Sequence, residues 1–420
     1  MKSKTLLIAL VLALAVGSMS CGARTGVRTS VVYPTQLGIV DVSFFYDQLS
    51  PYGRWFQLDE YGWVWTPYGV SYGWRPYTDG YWVWTDWGWT WVSQWTWGWA
   101  PFHYGRWHHH AMHGWVWTPG TVWGPAWVAW RHRPGWIGWA PLPPQVGWRA
   151  GVGLDFGRAD IDRLIEPHCY SFVEERQLTA RNLHQHIQLE ARNVTLLRDT
   201  KHIADYSVVD NRVVNRGIAI EQLERDTGQK IRRHRVADAT AVRPDEVRGE
   251  EVVLFRPKVE RKETERAPRV TVPPATTLES EQRKLDQQHA AAQAELDKQQ
   301  RKEQQQLQEQ QRIEAKQQRK AQQSVEEQKR IEEKQERKKA KVPEAAPAKV
   351  QKIEPTVKPK PPETVALQDL TNRQKAEKQA LKEQRQRQEQ VMRNRVETQR
   401  TVQAPPAKPA KPKPVRPGKP

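Results

Sequence analysis

The chain has 420 residues, with 66 Lys+Arg against 48 Asp+Glu, a formal net charge of +18, 21 Trp and only two Cys. Two cysteines exclude a disulfide framework and a cysteine-based structural zinc site. All 21 Trp fall between Trp55 and Trp148, lysine is absent between Lys4 and Lys201, and residues 277–420 carry 34 Lys+Arg against 21 Asp+Glu. The basic charge therefore belongs to the tail. Aromatics and lysines never interleave as a single-strand groove requires, so nucleic acid is not an expected partner.

Met1-Lys2-Ser3-Lys4, the apolar run Leu6–Val16 and the small residues before Cys21 read as a signal peptide over residues 1–20. Eleven apolar residues are too few for a bilayer, which needs about 20. Cys21 stands where a bacterial lipoprotein carries its lipid, which predicts an acyl anchor in the membrane. Ser18, three residues earlier, departs from the usual aliphatic, so cleavage without lipidation stays open. With Gly22 next, the periplasmic side of the outer membrane is the expected location.

After a leader over 21–42, Ser43–Leu49 is expected to make one or two helical turns with Ser43 as N-cap. An aromatic module over 43–148 follows. Tyr52-Gly53-Arg54-Trp55 leads over six residues to Gly62-Trp63-Val64-Trp65-Thr66-Pro67. Tyr104-Gly105-Arg106-Trp107 leads over six to Gly114-Trp115-Val116-Trp117-Thr118-Pro119. The copies are offset by 52 residues, with a degenerate copy at Gly80–Val92 between them, so the unit is about 26 residues. Short Trp/Tyr/Val/Thr runs between Gly, Pro and Asp turns predict β-hairpins, and Trp63-Val64-Trp65 alternation puts both indoles on one face. A fourth hairpin is expected at Trp127–Arg131 and Trp136–Ala140. The fold class predicted for this half is an antiparallel, Trp-lined hairpin repeat.

Residues 149–258 read as a small α+β segment. Strands are expected at Phe172-Val173, Asn193–Leu197 and Glu251–Phe255. A hairpin is expected at Tyr206–Val209 and Arg212–Val214, and a helix at Ala219–Thr227 stopped by Gly228. A linker over 259–276 precedes a charged, Gln-rich helix over 277–340. A Pro/Lys linker over 341–363 precedes a second charged helix over 364–402, and 403–420 is an extended cationic tail. Leu285, Leu296 and Leu307, and again Leu370 and Leu381, are eleven apart. That seam is thin, so solvated single helices of roughly 95 and 55 Å are preferred to a coiled coil.

Two features carry candidate chemistry. Trp55, Trp63, Trp65, Trp107, Trp115 and Trp117 could be a ligand platform for sugar rings, although core packing is the ordinary role of such a set. Arg54 and Arg106 are expected to pack on aromatic rings. His108, His110 and His113 are the candidates for a metal, but they fill a hairpin turn where the first repeat has Phe56-Gln57-Leu58, and no metal or other cofactor is expected. No phosphate loop, nucleophile elbow or zincin helix is present, so no catalytic residue is nominated.

These motifs, with Trp74-Arg75-Pro76-Tyr77, Trp97–Trp107 and Gly138-Trp139-Ala140-Pro141-Leu142-Pro143-Pro144, resemble a family of uncharacterised Trp-rich bacterial exported proteins, a domain of unknown function akin to WxxGxW-type repeats. Ala191–Thr195 and Val213–Gly217 resemble it too, so the likeness covers roughly 43–260. It implies an envelope location and brings no catalytic residues. The expectation is a non-enzymatic envelope structural or interaction protein. Its basic helical tail would meet an anionic polymer, peptidoglycan or lipopolysaccharide, or a partner protein. The alternatives are a carbohydrate-binding module and, more remotely, a metal-dependent enzyme.

Overall fold

The structure, a computed structural model, describes residues 39–149, 153–155, 160–203, 205–209, 212–262, 266–268, 277–339 and 362–403. The signal peptide, Cys21, the linker at 341–361 and the tail from residue 404 lie outside them.

The chain opens with β1 (Ile39–Asp41) and α1 (Ser43–Leu49). Val42, not Ser43, holds the N-cap position, and the Ser43 amide is met by Asp41 Oδ1 at 2.7 Å. Four hairpins follow: β2 (Gly53–Leu58) with β3 (Gly62–Pro67), β4 (Gly80–Thr85) with β5 (Gly88–Ser93), β6 (Arg106–His110) with β7 (Gly114–Thr118), and β8 (Val128–Arg133) with β9 (Trp136–Pro141). Each pairs indole with indole across the ladder: Trp55 with Trp65, Trp82 with Trp91, Trp107 with Trp117, Trp130 with Trp139. The two copies of the 52-residue repeat meet through their second strands, with Trp65 opposite Trp117, giving the sheet order β2-β3-β7-β6.

A small hairpin, β10 (Gly147–Arg149) with β11 (Gly153–Asp155), leads to α2 (Ile161–Leu164) and β12 (Ser171–Glu174). Then come α3 (Asn193–Asp199), β13 (Lys201–Ile203), β14 (Tyr206–Val209), β15 (Arg212–Asn215) and α4 (Ile220–Thr227). The head ends with β16 (Arg233–Asp238), β17 (Glu246–Arg248), β18 (Glu251–Leu254) and β19 (Lys258–Glu260). This stretch is not a separate lobe. β12 and β13 flank β8–β9 as β12-β9-β8-β13, and the others extend the middle hairpin into β14-β15-β5-β4-β16-β18-β17. The joins β15–β5, β16–β4 and β16–β18 are parallel, as is β1–β19, but each involves a strand outside the hairpin module; the four hairpins and the β3–β7 join between them are antiparallel, as expected.

The segment Asn193–Leu197, read as a strand, is the helix α3. Its β-branched and leucine run suits either state. A tertiary constraint decides it: Asn193 Nδ2 donates to the carbonyls of Pro167 (2.9 Å) and Tyr170 (2.6 Å), which fixes the start of the helix. The helix ending at Thr227 does stop at Gly228, which takes φ 68°.

The core is aromatic. Trp82 lies 4.6 Å from Trp130, 5.0 Å from Trp91 and 5.8 Å from Trp139, ring centre to ring centre, in tilted or edge-on arrangements. Indole N–H groups reach out of this core to pin loops: Trp65 to the Leu49 carbonyl, Trp107 to Pro101, Trp117 to Tyr104, Trp127 to His103 and Trp139 to Tyr77, all at 2.7–3.1 Å.

Two long helices complete the molecule, α5 (Leu278–Lys339) and α6 (Pro362–Gln403). They are not solitary rods. They run antiparallel, with Arg385 on Asp286 and a reciprocal pair in which Gln300 Nε2 donates to the Gln374 carbonyl (3.2 Å) and Gln374 Nε2 to the Gln300 carbonyl (3.1 Å). The pair docks on the head. Leu296 and Leu381 close over Ala191, Arg192 pairs with Glu303, Thr195 donates to Glu377, and Arg387 meets Glu190. The leucines eleven apart do mark the seam, since Leu285, Leu296, Leu370 and Leu381 are buried. Beyond the head α5 continues alone, every side chain from Lys316 to Gln335 exposed. Among the described residues no helix is long and apolar enough to cross a membrane.

Two outcomes follow for stability. Trp130→Ala should cost about 3–5 kcal/mol in urea unfolding, because its ring is wholly enclosed. Gly62 and Gly88 both have positive φ, but a Cβ at Gly62 enters open space while one at Gly88 meets the Asn215 carbonyl. Gly62→Ala should therefore cost about 1 kcal/mol, and Gly88→Ala clearly more; equal losses would contradict this packing.

Candidate ligand cleft between the aromatic head and the helical arm

The nominated platform is largely internal. Trp55, Trp65, Trp107 and Trp117 are at most 1% exposed, Trp115 is buried, and only Trp63 is partly open. Alternation did put each pair on one face, but that face is the one covered by α1 and the loop 94–105, through contacts such as Phe45 with Trp117 (5.4 Å) and Trp65 with Trp97 (5.1 Å). These buried rings cannot serve as a sugar platform, and that assignment is corrected. The arginines do lie over rings, but not the adjacent indoles: Arg54 covers Phe56 at 4.4 Å and Arg106 covers Trp127 at 3.9 Å.

Nor do His108, His110 and His113 converge as ligands. His108 packs on Tyr61 at 4.4 Å, while His110 and His113 stack on each other at 4.8 Å. His113 also packs on Phe56 and meets Asn394 of α6. His109, on the opposite face of β6, points under the arm, 4.7 Å from His168. Cys21 lies outside the described residues, and Cys169 has no disulfide partner among them.

What the structure does build is a half-open cleft of about 690 Å³ where the arm crosses the head. One wall comes from the turns around the first hairpin, with Tyr52, Arg54, Tyr68 and Tyr72, and from Trp95 in the central loop. The other comes from α5 and α6, with Glu281, Lys284, Asn394 and Arg395. Tyr52 is 41% exposed. Trp95 stacks on Trp97 at 5.3 Å, and its buried Nε1–H has no acceptor among the described residues.

The electrostatics of the cleft favour an anion. Arg54 has no carboxylate partner among the described residues; burial and the nearby Arg395 both lower its pKa. Arg395 lies over Tyr72 at 5.0 Å. The one carboxylate in the lining, Glu281, is already engaged by Tyr72 (2.7 Å) and Lys284 (2.9 Å). Burial tends to raise the Glu281 carboxyl, but those hydrogen bonds hold it below its ordinary value. None of these cleft residues was nominated from sequence as a ligand contact. They come from the hairpin module and from the two long helices, far apart in sequence, and no local pattern links them.

The histidines under and beside the arm make the assembly sensitive to acid. Burial pushes His108 and His113 down to about 4 and His109, which also faces His168 and Arg387, down to about 3. An unfolded histidine titrates near 6.5. The unfolded chain therefore takes up protons first as pH falls, and stability present above about 6.5 is lost progressively towards pH 4. The urea midpoint should fall over that window and fall less in His109→Asn; a flat profile in the native sequence would contradict the burial of these rings.

Comparison with known proteins places one part of this architecture. No curated protein and no solved structure matches the chain. Residues 46–146, the segment that carries the four Trp-rich hairpins, match a family of unknown function (DUF6600).

Proposed function

We propose that this chain is a non-enzymatic binding protein of the cell envelope, exported by its N-terminal segment and held to the membrane through an acylated Cys21, which grips an anionic glycan such as peptidoglycan. The carrying observation is the cleft, which combines an exposed ring (Tyr52) and two partly buried ones (Tyr68, Trp95) with the cations Arg54, Lys284 and Arg395 against the single carboxylate Glu281. Rings of this kind stack on the apolar faces of sugars, and a guanidinium holds a carboxylate in two parallel hydrogen bonds. The reading is binding rather than catalysis because Glu281, the carboxylate in the lining, is tied up by Tyr72 and Lys284.

A second reading, in which the arm itself meets the polymer, has its own support in the exposed outer half of α5. The exposed 20 residues from Lys316 to Gln335 extend roughly 30 Å at 1.5 Å per residue.

Sedimentation of the mature chain with purified peptidoglycan, and calorimetry with soluble acidic and neutral glycan fragments, separate the two. Arg54→Gln with Arg395→Gln should weaken binding of acidic fragments at least tenfold, since a charge-assisted hydrogen bond is worth about 1.5–3 kcal/mol. Tyr52→Ala should weaken acidic and neutral fragments alike. Unchanged affinity in the double arginine variant, with loss of binding on neutralising the lysines and arginines of 316–335, would transfer the function to the arm.

A further inference from the structure

A second site lies at the end of the β8–β9 hairpin, on the face that also carries Trp130 and Trp139, and nothing in the cleft reading uses it. His132 stands near the end of β8. The β8–β9 turn brings the chain back at Trp136, which pairs with Glu174, and the Gly135 carbonyl accepts from the Glu175 amide at 3.3 Å. That register sets Glu175, in a short 3-10 turn after β12, against His132, with Nε2 and Oε1 2.5 Å apart. The helix α4 packs alongside through its buried Ile220 and Leu223, and its last turn delivers Asp226. The donor atoms of His132, Glu175 and Asp226 all lie within 4.8 Å of one another.

The charges of this trio do not balance. Glu175 is only 6% exposed, and among the described residues His132 is its one ion-pair partner. Asp226 brings a second carboxylate, and among the described residues neither acid is met by Lys or Arg. Asp226 also sits at the C-terminal end of α4, where the helix dipole favours a cation and opposes an anion. Two carboxylates and one imidazole from three separate elements, one of them buried, form a donor set that a divalent ion completes.

We propose that His132, Glu175 and Asp226 bind a zinc-class divalent ion, with water filling the coordination left open on the exposed Asp226 side. The imidazole selects a first-row transition ion over Ca²⁺ or Mg²⁺, which take oxygen donors. Ion entry replaces the His132–Glu175 hydrogen bond, with any proton held there passing to water. The pair then opens from 2.5 Å to about 3.3 Å, the separation set by two tetrahedral bonds of about 2.0–2.1 Å. The ion ties α4 to the sheet β12-β9-β8-β13, so its role is a cross-brace between elements far apart in sequence.

The mature chain, stripped with chelator, is titrated with Zn²⁺, then with Ca²⁺ and Mg²⁺, by calorimetry and thermal unfolding. Zn²⁺ should bind and raise Tm, and Ca²⁺ and Mg²⁺ at the same concentration should not. Asp226→Asn should weaken Zn²⁺ at least tenfold and remove the Tm rise that Zn²⁺ produces, whatever the change in metal-free Tm. His132→Gln should do the same. A chain with His108, His110 and His113 all changed to Asn should keep both effects. Zn²⁺ binding that is equal in the native chain and in Asp226→Asn, or that disappears only in the His108/His110/His113 variant, would overturn the proposal.

Discussion

The buried indole with its N–H spent on a loop carbonyl is the interaction on which this molecule depends. A strand of five or six residues contributes two or three inward side chains, too few to build a core from valine or leucine. Tryptophan supplies about 150–250 Å² per side chain, with a donor at the far edge of the ring. Trp107, Trp117 and Trp127 send that donor to Pro101, Tyr104 and His103, all in one irregular loop. The same contact that fills the interior therefore fixes backbone that no ladder holds. Trp95 and Trp97 leave from that loop, and so the cleft wall is set by core packing.

Sequence pattern revealed local structure well and assembly poorly. Glycines at the turns, indoles two apart and the 52-residue offset were enough to find the four hairpins, because strand period and turn chemistry are local properties. The parallel joins of β15 and β16 to the middle hairpin left no such mark, since they depend on which edges are free after the hairpins form. α3 was misread because Asn193-Val194-Thr195-Leu196-Leu197 has strand-like composition and its helix is enforced by Asn193 reaching back to Pro167 and Tyr170. The burial of Trp55, Trp65, Trp107 and Trp117 was half legible: their shared face could be read, but not the loop and helix that cover it.

The arm was hidden for a different reason. Hydropathy finds a helix interface when the seam is apolar, and here much of the seam is polar. Gln300, Gln374, Glu377 and Gln388 are buried alongside the leucines, and the first three exchange hydrogen bonds across it. Amide pairs of this kind fix register by geometry, as a buried Asn does in a coiled coil. They place Arg395 opposite Arg54, although those residues are separated by most of the chain. A seam of amides and ion pairs holds its alignment without the driving force of a large apolar surface, so the cleft is well defined yet bounded on one side by an element that polar contacts retain.

The pairing of Trp65 with Trp117 has a consequence for ancestry. These are equivalent residues of the two repeat copies, and they face each other at the centre of β2-β3-β7-β6. Equivalent residues meet in this way when two identical subunits join across a two-fold axis. The geometry is that of a homodimer written into one polypeptide, with the former intersubunit edge now an internal seam. A single copy would leave the edge of β3 unpaired and would need a second molecule to cover it. With both copies in one chain, that edge is paired internally. The two hairpin tips differ all the same: one carries Phe56-Gln57-Leu58 and the other His108-His109-His110, whose middle ring lies beneath the helical arm.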